Sequence, residues 1–363
     1  MATITEHDVS YADGAKNIHY LAAGPSSGPL VIFLHGWPAM ALTWKHQLQA
    51  FALLGFRAVA PDMPGWGKST SRRITADYSQ EALVEGMLVL LSANRRPAAV
   101  WVAHDWGAGV ASSLAAQHPT AIQALVLLCV PYKSAELGLD HLVSLVDRTV
   151  YPEDEYPFGQ WDYMAYYEEN FDKAIASYEA NVPGLLKVLY ARSEANSAAD
   201  AYKPAFTANI RKANGLFDGN PAPPAEAIPA PLLEGEIFDA FVEATEKTGL
   251  WAGSAYYSNH KANAAYNNEA PNGGRLGEEK PVLFIHAKFD YICTTLTTRL
   301  AEPMREACKN LTEVTIEAGH FVQFEKPEEV NAAIVKFIVE EAKESWPGYA
   351  DSEHRKGDSQ KKS

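Results

Sequence analysis

Val102-Ala103-His104-Asp105-Trp106-Gly107-Ala108-Gly109 decides how the chain is read. It follows the short apolar run Val100 to Ala103 and precedes a helical pattern. Its order is small residue, any, nucleophile, any, small, small. A strand that turns sharply into a helix needs small side chains around the turn, and it leaves the central residue exposed at the strand's end. That central residue is an aspartate. A serine here needs a base to become nucleophilic, whereas a carboxylate is already ionised near neutral pH. The following helix N-terminus helps keep it charged. A carboxylate attacks saturated carbon well and gains little from attacking an ester or amide carbonyl, so alkyl transfer is favoured over acyl transfer. The structural alternative is that Asp105 only caps the helix, since aspartate is a favoured cap.

Working outward, Leu30 to Leu34, Arg57 to Ala60, Val100 to Ala103 and Leu125 to Val130 are apolar runs suited to strands covered on both faces. Leu83, Met87, Leu90 and Leu91 fall at helical spacing between them. The alternation resumes with strands at Val282 to Ile285 and Val314 to Ile316. Pro327 then opens a helix with Glu328 and Glu329 in its first turn. The pattern predicts an α/β fold with a mostly parallel, doubly wound sheet. The region between, from about Lys133 to Asn272, is rich in aromatics and helical in pattern, with a Pro/Ala-rich loop at Asn220 to Pro231. It is expected to be a helical cap over residues 134–275, inserted between core segments 1–133 and 276–345. The polar stretch 346–363 is expected to be a disordered tail.

Two further loops bear on the chemistry. His35-Gly36-Trp37-Pro38 follows the first strong strand, where a backbone N–H can join the one after the nucleophile in an anion hole; the candidates are the N–H groups of Trp37 and Trp106. His35 itself is expected to be a structural hydrogen-bonder, with Gly36, Pro38 and His104 as further structural neighbours of the site. Near the end, Ala318-Gly319-His320-Phe321 lies between a strand and the last helix, and Asp290 follows the Val282 strand. The order nucleophile, acid, histidine is that of the α/β-hydrolase fold. An acid after the Leu125 strand is disfavoured, because the first acidic residue there is Glu136.

These residues together resemble the soluble epoxide hydrolases over nearly the whole chain to about Trp346. The match includes His35-Gly36-Trp37-Pro38, His104-Asp105-Trp106-Gly107, Asp290, and Gly319-His320 followed by Gln323 and Lys326-Pro327. The resemblance implies opening of a small-molecule epoxide by Asp105, water activation by His320 with Asp290, and two cap tyrosines holding the epoxide oxygen. Trp161-Asp162-Tyr163 with Tyr166-Tyr167 assigns the first to Tyr163, and Tyr256-Tyr257-Ser258-Asn259 assigns the second to Tyr257, with Tyr256 as the alternative register. The phosphatase domain of the mammalian relatives is not in this sequence, so no second activity is implied. A haloalkane dehalogenase shares the Asp turn and the histidine, with Trp106 as a potential halide donor, and a non-catalytic binding protein on this fold is the rival from another class.

Composition narrows the field further. With 31 basic and 45 acidic residues the formal charge is −14, which disfavours a nucleic-acid partner. No window is long and apolar enough to suggest a signal peptide or membrane span. Three scattered cysteines suit a reducing compartment, the cytoplasm. No His/Cys/Asp spacing suggests a metal, and no cofactor is expected. Gly67-Lys68-Ser69 looks like a P-loop, but Asp62 stands where its first glycine belongs; Pro61 to Ser69 reads as a structural turn.

Overall fold

The apolar runs pair into one eight-stranded sheet in the computed structural model, which describes residues 2–192, 203–229 and 231–349. Its strands are β1 (Thr5–Tyr11), β2 (Lys16–Ala23), β3 (Leu30–Leu34), β4 (Arg57–Pro61), β5 (Ala99–His104), β6 (Ile122–Leu128), β7 (Val282–Ala287) and β8 (Leu311–Ile316). They lie in the order β1-β2-β4-β3-β5-β6-β7-β8. From β4 to β8 all neighbours are parallel, whereas β2 runs antiparallel to both β1 and β4. Strands β3 and β5 are buried at every residue, as their continuous apolar composition requires. The β1–β2 hairpin escaped the sequence reading. β1 is a partly exposed edge strand of mainly polar residues, and it has no apolar run to mark it.

The helices are α1 (Lys45–Leu53), α2 (Gln80–Ala93), α3 (Trp106–Gln117), α4 (Leu139–Ser144), α5 (Asp162–Glu179), α6 (Val182–Leu189), α7 (Gly235–Thr248), α8 (Trp251–Ser254), α9 (His260–Asn268), α10 (Glu302–Ala307), α11 (Val322–Glu325) and α12 (Pro327–Glu341). Two apolar layers cover the sheet. Val31, Phe33, Val100 and Val102 face one side with Phe51 of α1 and Ile334 and Phe337 of α12; Ile32, Leu34, Trp101 and Ala103 face the other with Met87 of α2 and Leu114 of α3. Helix α12 begins at Pro327 with two glutamates in its first turn, as its sequence requires. Between β6 and β7 the described residues form helices α4 to α9 and short 3-10 turns, and no strand. Among the described residues no helix is long and apolar enough to cross a membrane.

Two expectations need correction. The strand expected over Leu125 to Val130 starts at Ile122 and stops at Leu128, because Cys129 takes φ 68°, outside the extended region. The tail does not begin at 346: the Trp346 ring packs on Phe56 with centroids 5.5 Å apart, and a turn bond from Tyr349 N–H to Trp346 O follows. Residues 350–363 of that expected tail lie outside the described residues. Pro61 to Ser69 is a structural turn as read. The buried Asp62 carboxylate accepts the N–H groups of Ala41 and Lys68 and pairs with His19 Nδ1 at 2.8 Å.

Register places the chemistry. Leu34 stands opposite Ala103 across β3 and β5, so the loops leaving these strands start side by side. A Cβ on Gly107 would lie 2.6 Å from the carbonyl oxygens of both Leu34 and His35. Gly107→Ala is therefore expected to force β3 and α3 apart and to destabilise the fold by about 1–3 kcal/mol, the usual scale of overpacking. Thermal or chemical denaturation measures this, and an unchanged midpoint would contradict the close approach.

Candidate active site

The parallel strands deliver their carboxyl ends to one edge, and the loops after β3, β5, β7 and β8 carry the candidate residues there. Asp105 directly follows β5, with φ 52° and ψ −126°. A non-glycine residue held in this region costs on the order of 1–3 kcal/mol, and the surrounding packing must enforce it. Although Asp105 sits at the N-cap position of α3, its side chain makes no capping bond. Oδ1 instead accepts the Trp37 N–H at 2.7 Å, and Oδ2 lies 3.5 Å from His320 Nε2. A capping role is thereby excluded. Gly36 makes room for this arrangement, since a Cβ there would come within 2.2 Å of Asp105 Oδ1. The Trp37–Pro38 peptide is cis.

Among the described residues, the backbone N–H that reaches the Asp105 carboxylate is that of Trp37. The Trp106 N–H opens α3 at its first position, where no helical carbonyl precedes it. The His35 ring is bonded within the fold: its Nδ1 faces Gly36 O at 2.9 Å, and its Nε2 accepts the Met63 N–H at 2.9 Å. Both nitrogens are used by the neutral ring. Burial pushes its pKa down to about 4 against the smaller pull of Gly36 O and nearby carboxylates.

His320 must reach back from β8 to β5, across β6 and β7, roughly 14 Å at the usual strand spacing. Its ring Nδ1 lies 2.6 Å from Asp290 Oδ2, while Asp290 Oδ1 accepts the N–H groups of Cys293 and Ile292. Its backbone carbonyl is held from below. His104 Nε2 lies 2.7 Å from it and must carry the proton, and the Cys129 thiol donates to it at 3.1 Å. His104 is buried and neutral, with its pKa pushed down to about 3, first by burial and then by the His320 charge. His320 shares possible metal donors with His104 and Cys129, and with Asp290 and Cys293. In both sets the hydrogen bonds just described already use at least two of the three side chains.

The charges of the triad are mutually dependent. Burial disfavours the His320 cation, but the charge of Asp290 and hydrogen bonds to Asp105 and Asp290 outweigh it and hold the imidazolium well above the ordinary histidine range. Burial likewise opposes ionisation of Asp105 and Asp290. The hydrogen bond and charge of His320 overcome it for both, aided by the Trp37 N–H for Asp105.

A cavity of about 600 Å³ opens onto Asp105, His320, Tyr163 and Tyr257. The two tyrosine rings stand edge to face, 5.8 Å between centroids. Burial, with the nearby charge of Asp105 among lesser causes, raises both phenols well above their ordinary pKa, so both keep their protons. The Trp106 ring meets the Tyr257 ring edge to face, 4.9 Å between centroids. Tyr256 is placed differently. Its hydroxyl donates to Pro64 O at 2.9 Å, and its ring packs between Tyr78 and Trp106. Of the two, it is Tyr257 that lines the cavity in front of Asp105. Tyr167 and Tyr178 also line the cavity, with Tyr167 stacked on Tyr257 at 4.6 Å, and the sequence reading did not single them out for the site. Tyr163 and Tyr167 are one helical turn apart on α5, and that spacing was the signal available. Glu136 plays no part at the triad; it is buried and accepts the N–H groups of Lys133 and Ser134.

A mostly parallel sheet with a sharp strand-to-helix turn after β5, an acid after β7 and a histidine after β8 is the arrangement of the α/β hydrolase fold. The chain belongs to that family, whose model matches residues 29–222. It is 29% identical over 332 residues to epoxide hydrolase A of Mycobacterium tuberculosis, covering 88% of this chain and 94% of that protein. It is 26% identical over 329 residues to bifunctional epoxide hydrolase 2 of Sus scrofa, covering 90% of this chain but 54% of that relative's length. Among solved structures, epoxide hydrolase A from Mycobacterium thermoresistibile superposes with a TM-score of 0.73 at 26% identity, covering 93% of this chain and 99% of the other. The resemblance read from the sequence is thus matched by these relatives.

The coupling yields a prediction. Asp105→Asn removes one of the charges that hold the proton on His320, so the His320 pKa is expected to fall toward the ordinary range. NMR titration of the ring measures it, and an equal or higher pKa in the variant would refute the coupling.

Proposed function

We propose that this chain hydrolyses epoxides to vicinal diols through a covalent hydroxyalkyl ester on Asp105. The observation that carries this reading is the division of the Asp105 carboxylate. Oδ1 is occupied by the Trp37 N–H, Oδ2 faces His320, and two protonated phenols share the cavity in front. The names of the relatives support the same activity. On this reading the helical segment 134–275 acts as a cap that brings Tyr163 and Tyr257 to the nucleophile.

In the first half, Tyr163 and Tyr257 donate hydrogen bonds to the epoxide oxygen while Oδ2 attacks a ring carbon. The carbon–oxygen bond breaks, and one phenol gives its proton to the nascent alkoxide. Asp105 becomes a neutral ester, and His320 loses part of the attraction that kept it protonated. Its proton returns to the phenolate, which leaves a neutral imidazole oriented by Asp290. In the second half, His320 takes a proton from water, and the hydroxide adds to the ester carbon. The charge that develops on Oδ1 is held by the Trp37 N–H, with the Trp106 N–H as the proposed second donor. Collapse expels the diol, whose oxygen takes the remaining proton of the added water. Asp105 is again a carboxylate beside protonated His320, so atoms and charges balance over the cycle. The haloalkane reading has less support, because two tyrosines line the cavity that would be idle in such an enzyme.

Incubation with aryl and alkyl epoxides is expected to give diols, and incubation with haloalkanes no halide; the opposite pattern would sink the assignment. Losing one of two donors to the developing oxyanion costs about a hundredfold by analogy with a single oxyanion-hole donor. Tyr257→Phe and Tyr163→Phe should each slow ring opening by that order in rapid-quench measurements, whereas Tyr256→Phe should change it little. His320→Gln retains the nucleophile but lacks the base. It should accumulate an adduct on Asp105 heavier than the free enzyme by one substrate, visible by intact-mass spectrometry; full turnover without an adduct would contradict the role of His320.

A further inference from the structure

Two cavities meet at Asp105 and differ greatly in size. The larger holds about 600 Å³ and the smaller about 20 Å³. They share Asp105, Tyr163 and Cys293, and no other lining residue. The smaller is closed by the side chains of Val130, Leu142, Trp161, Met164 and Leu300, all buried. That volume suits one water molecule or a methyl group and nothing longer. The larger is walled by Val188, Leu189, Ile210, Leu216 and Phe217, an apolar lining suited to an alkyl or aryl chain.

Displacement at a ring carbon fixes how an epoxide lies here. The carboxylate approaches behind the bond that breaks, while the ring oxygen points at the two phenols. The carbon–carbon bond of the ring therefore lies across the line from Asp105 to the tyrosines, and substituents on its two carbons diverge to either side. The two spaces that border Asp105 and Tyr163 and can receive those substituents are the large cavity and the small one. Resting on the functional reading above, we propose that the substrates are one-armed epoxides. They are terminal, or carry no more than a methyl group on the second carbon, and bear a single bulky apolar arm. Epoxides with a long chain on both carbons are excluded by the wall formed by Leu142, Met164 and Leu300.

The test compares a terminal epoxide of dodecane with its mid-chain isomer, which has the same atoms and apolar area, by rate of diol formation. Forcing several methylenes into a packed wall corresponds to about a tenfold to hundredfold loss or more, so kcat/KM should favour the terminal isomer by at least that ratio. Met164→Ala and Leu300→Ala enlarge the small chamber and should raise the relative rate on the mid-chain isomer, whereas Leu216→Ala in the large cavity should not. Where a chamber variant fails to fold, the wild-type ratio decides alone. Comparable turnover of the two isomers by the wild-type enzyme would overturn the one-armed site while leaving epoxide hydrolysis intact. Failure to hydrolyse any epoxide would overturn the functional reading and this inference with it.

Discussion

A carboxylate held at the end of a buried strand stays charged only if neighbouring groups replace the water it has lost. Asp105 is in that position, and much of the architecture at the sheet edge follows from meeting its demand. The strained backbone lifts the side chain clear of its own helix, so capping cannot satisfy it. Glycine at 36 admits the carboxylate to the neighbouring loop, where the Trp37 N–H waits, and glycine at 107 lets strand and helix close behind it. The remaining charge is answered by His320, brought from a strand three places away and fixed through its carbonyl by His104 and Cys129.

The same electrostatics give the proposed reaction its order. His320 is flanked by two carboxylates and held as a cation, which is the wrong state for a base. It needs to act only after Asp105 has been alkylated. Esterification removes one of the two charges that hold the proton, so the chemistry of the first half prepares the base for the second. A serine in the same turn would need its histidine neutral from the start. In the proposed mechanism the aspartate at position 105 therefore changes both the bond attacked and the moment at which the histidine works.

Much of this was legible in the sequence, for physical reasons that differ by region. Buried parallel strands must be continuously apolar, so β3, β5 and β7 announced themselves, whereas β1, a polar edge strand, did not. The nucleophile turn was readable because its geometry tolerates few side chains. Asp290 and His320 were readable because each directly follows a strand whose end is fixed by the sheet. The register of the tyrosine pair was open between Tyr256 and Tyr257, since adjacent residues in a short helical turn differ only in direction. Packing places the two apart: Tyr256 is bonded to Pro64 O, and Tyr257 lines the cavity. The closed chamber beside Asp105 was not legible at all, because Leu142, Met164 and Leu300 come from separate parts of the chain and nothing local marks them as neighbours.

A covalent ester on Asp105 would show in the fate of solvent oxygen. Enzyme in excess over an epoxide, turned over once in water enriched in heavy oxygen, yields a diol and an enzyme that can be analysed separately by mass spectrometry. The account predicts that the first diol carries an oxygen from the Asp105 carboxylate and almost no label, while the peptide containing Asp105 gains one labelled atom. Label found in the diol and absent from that peptide would show that water opens the ring itself and that Asp105 acts as a base.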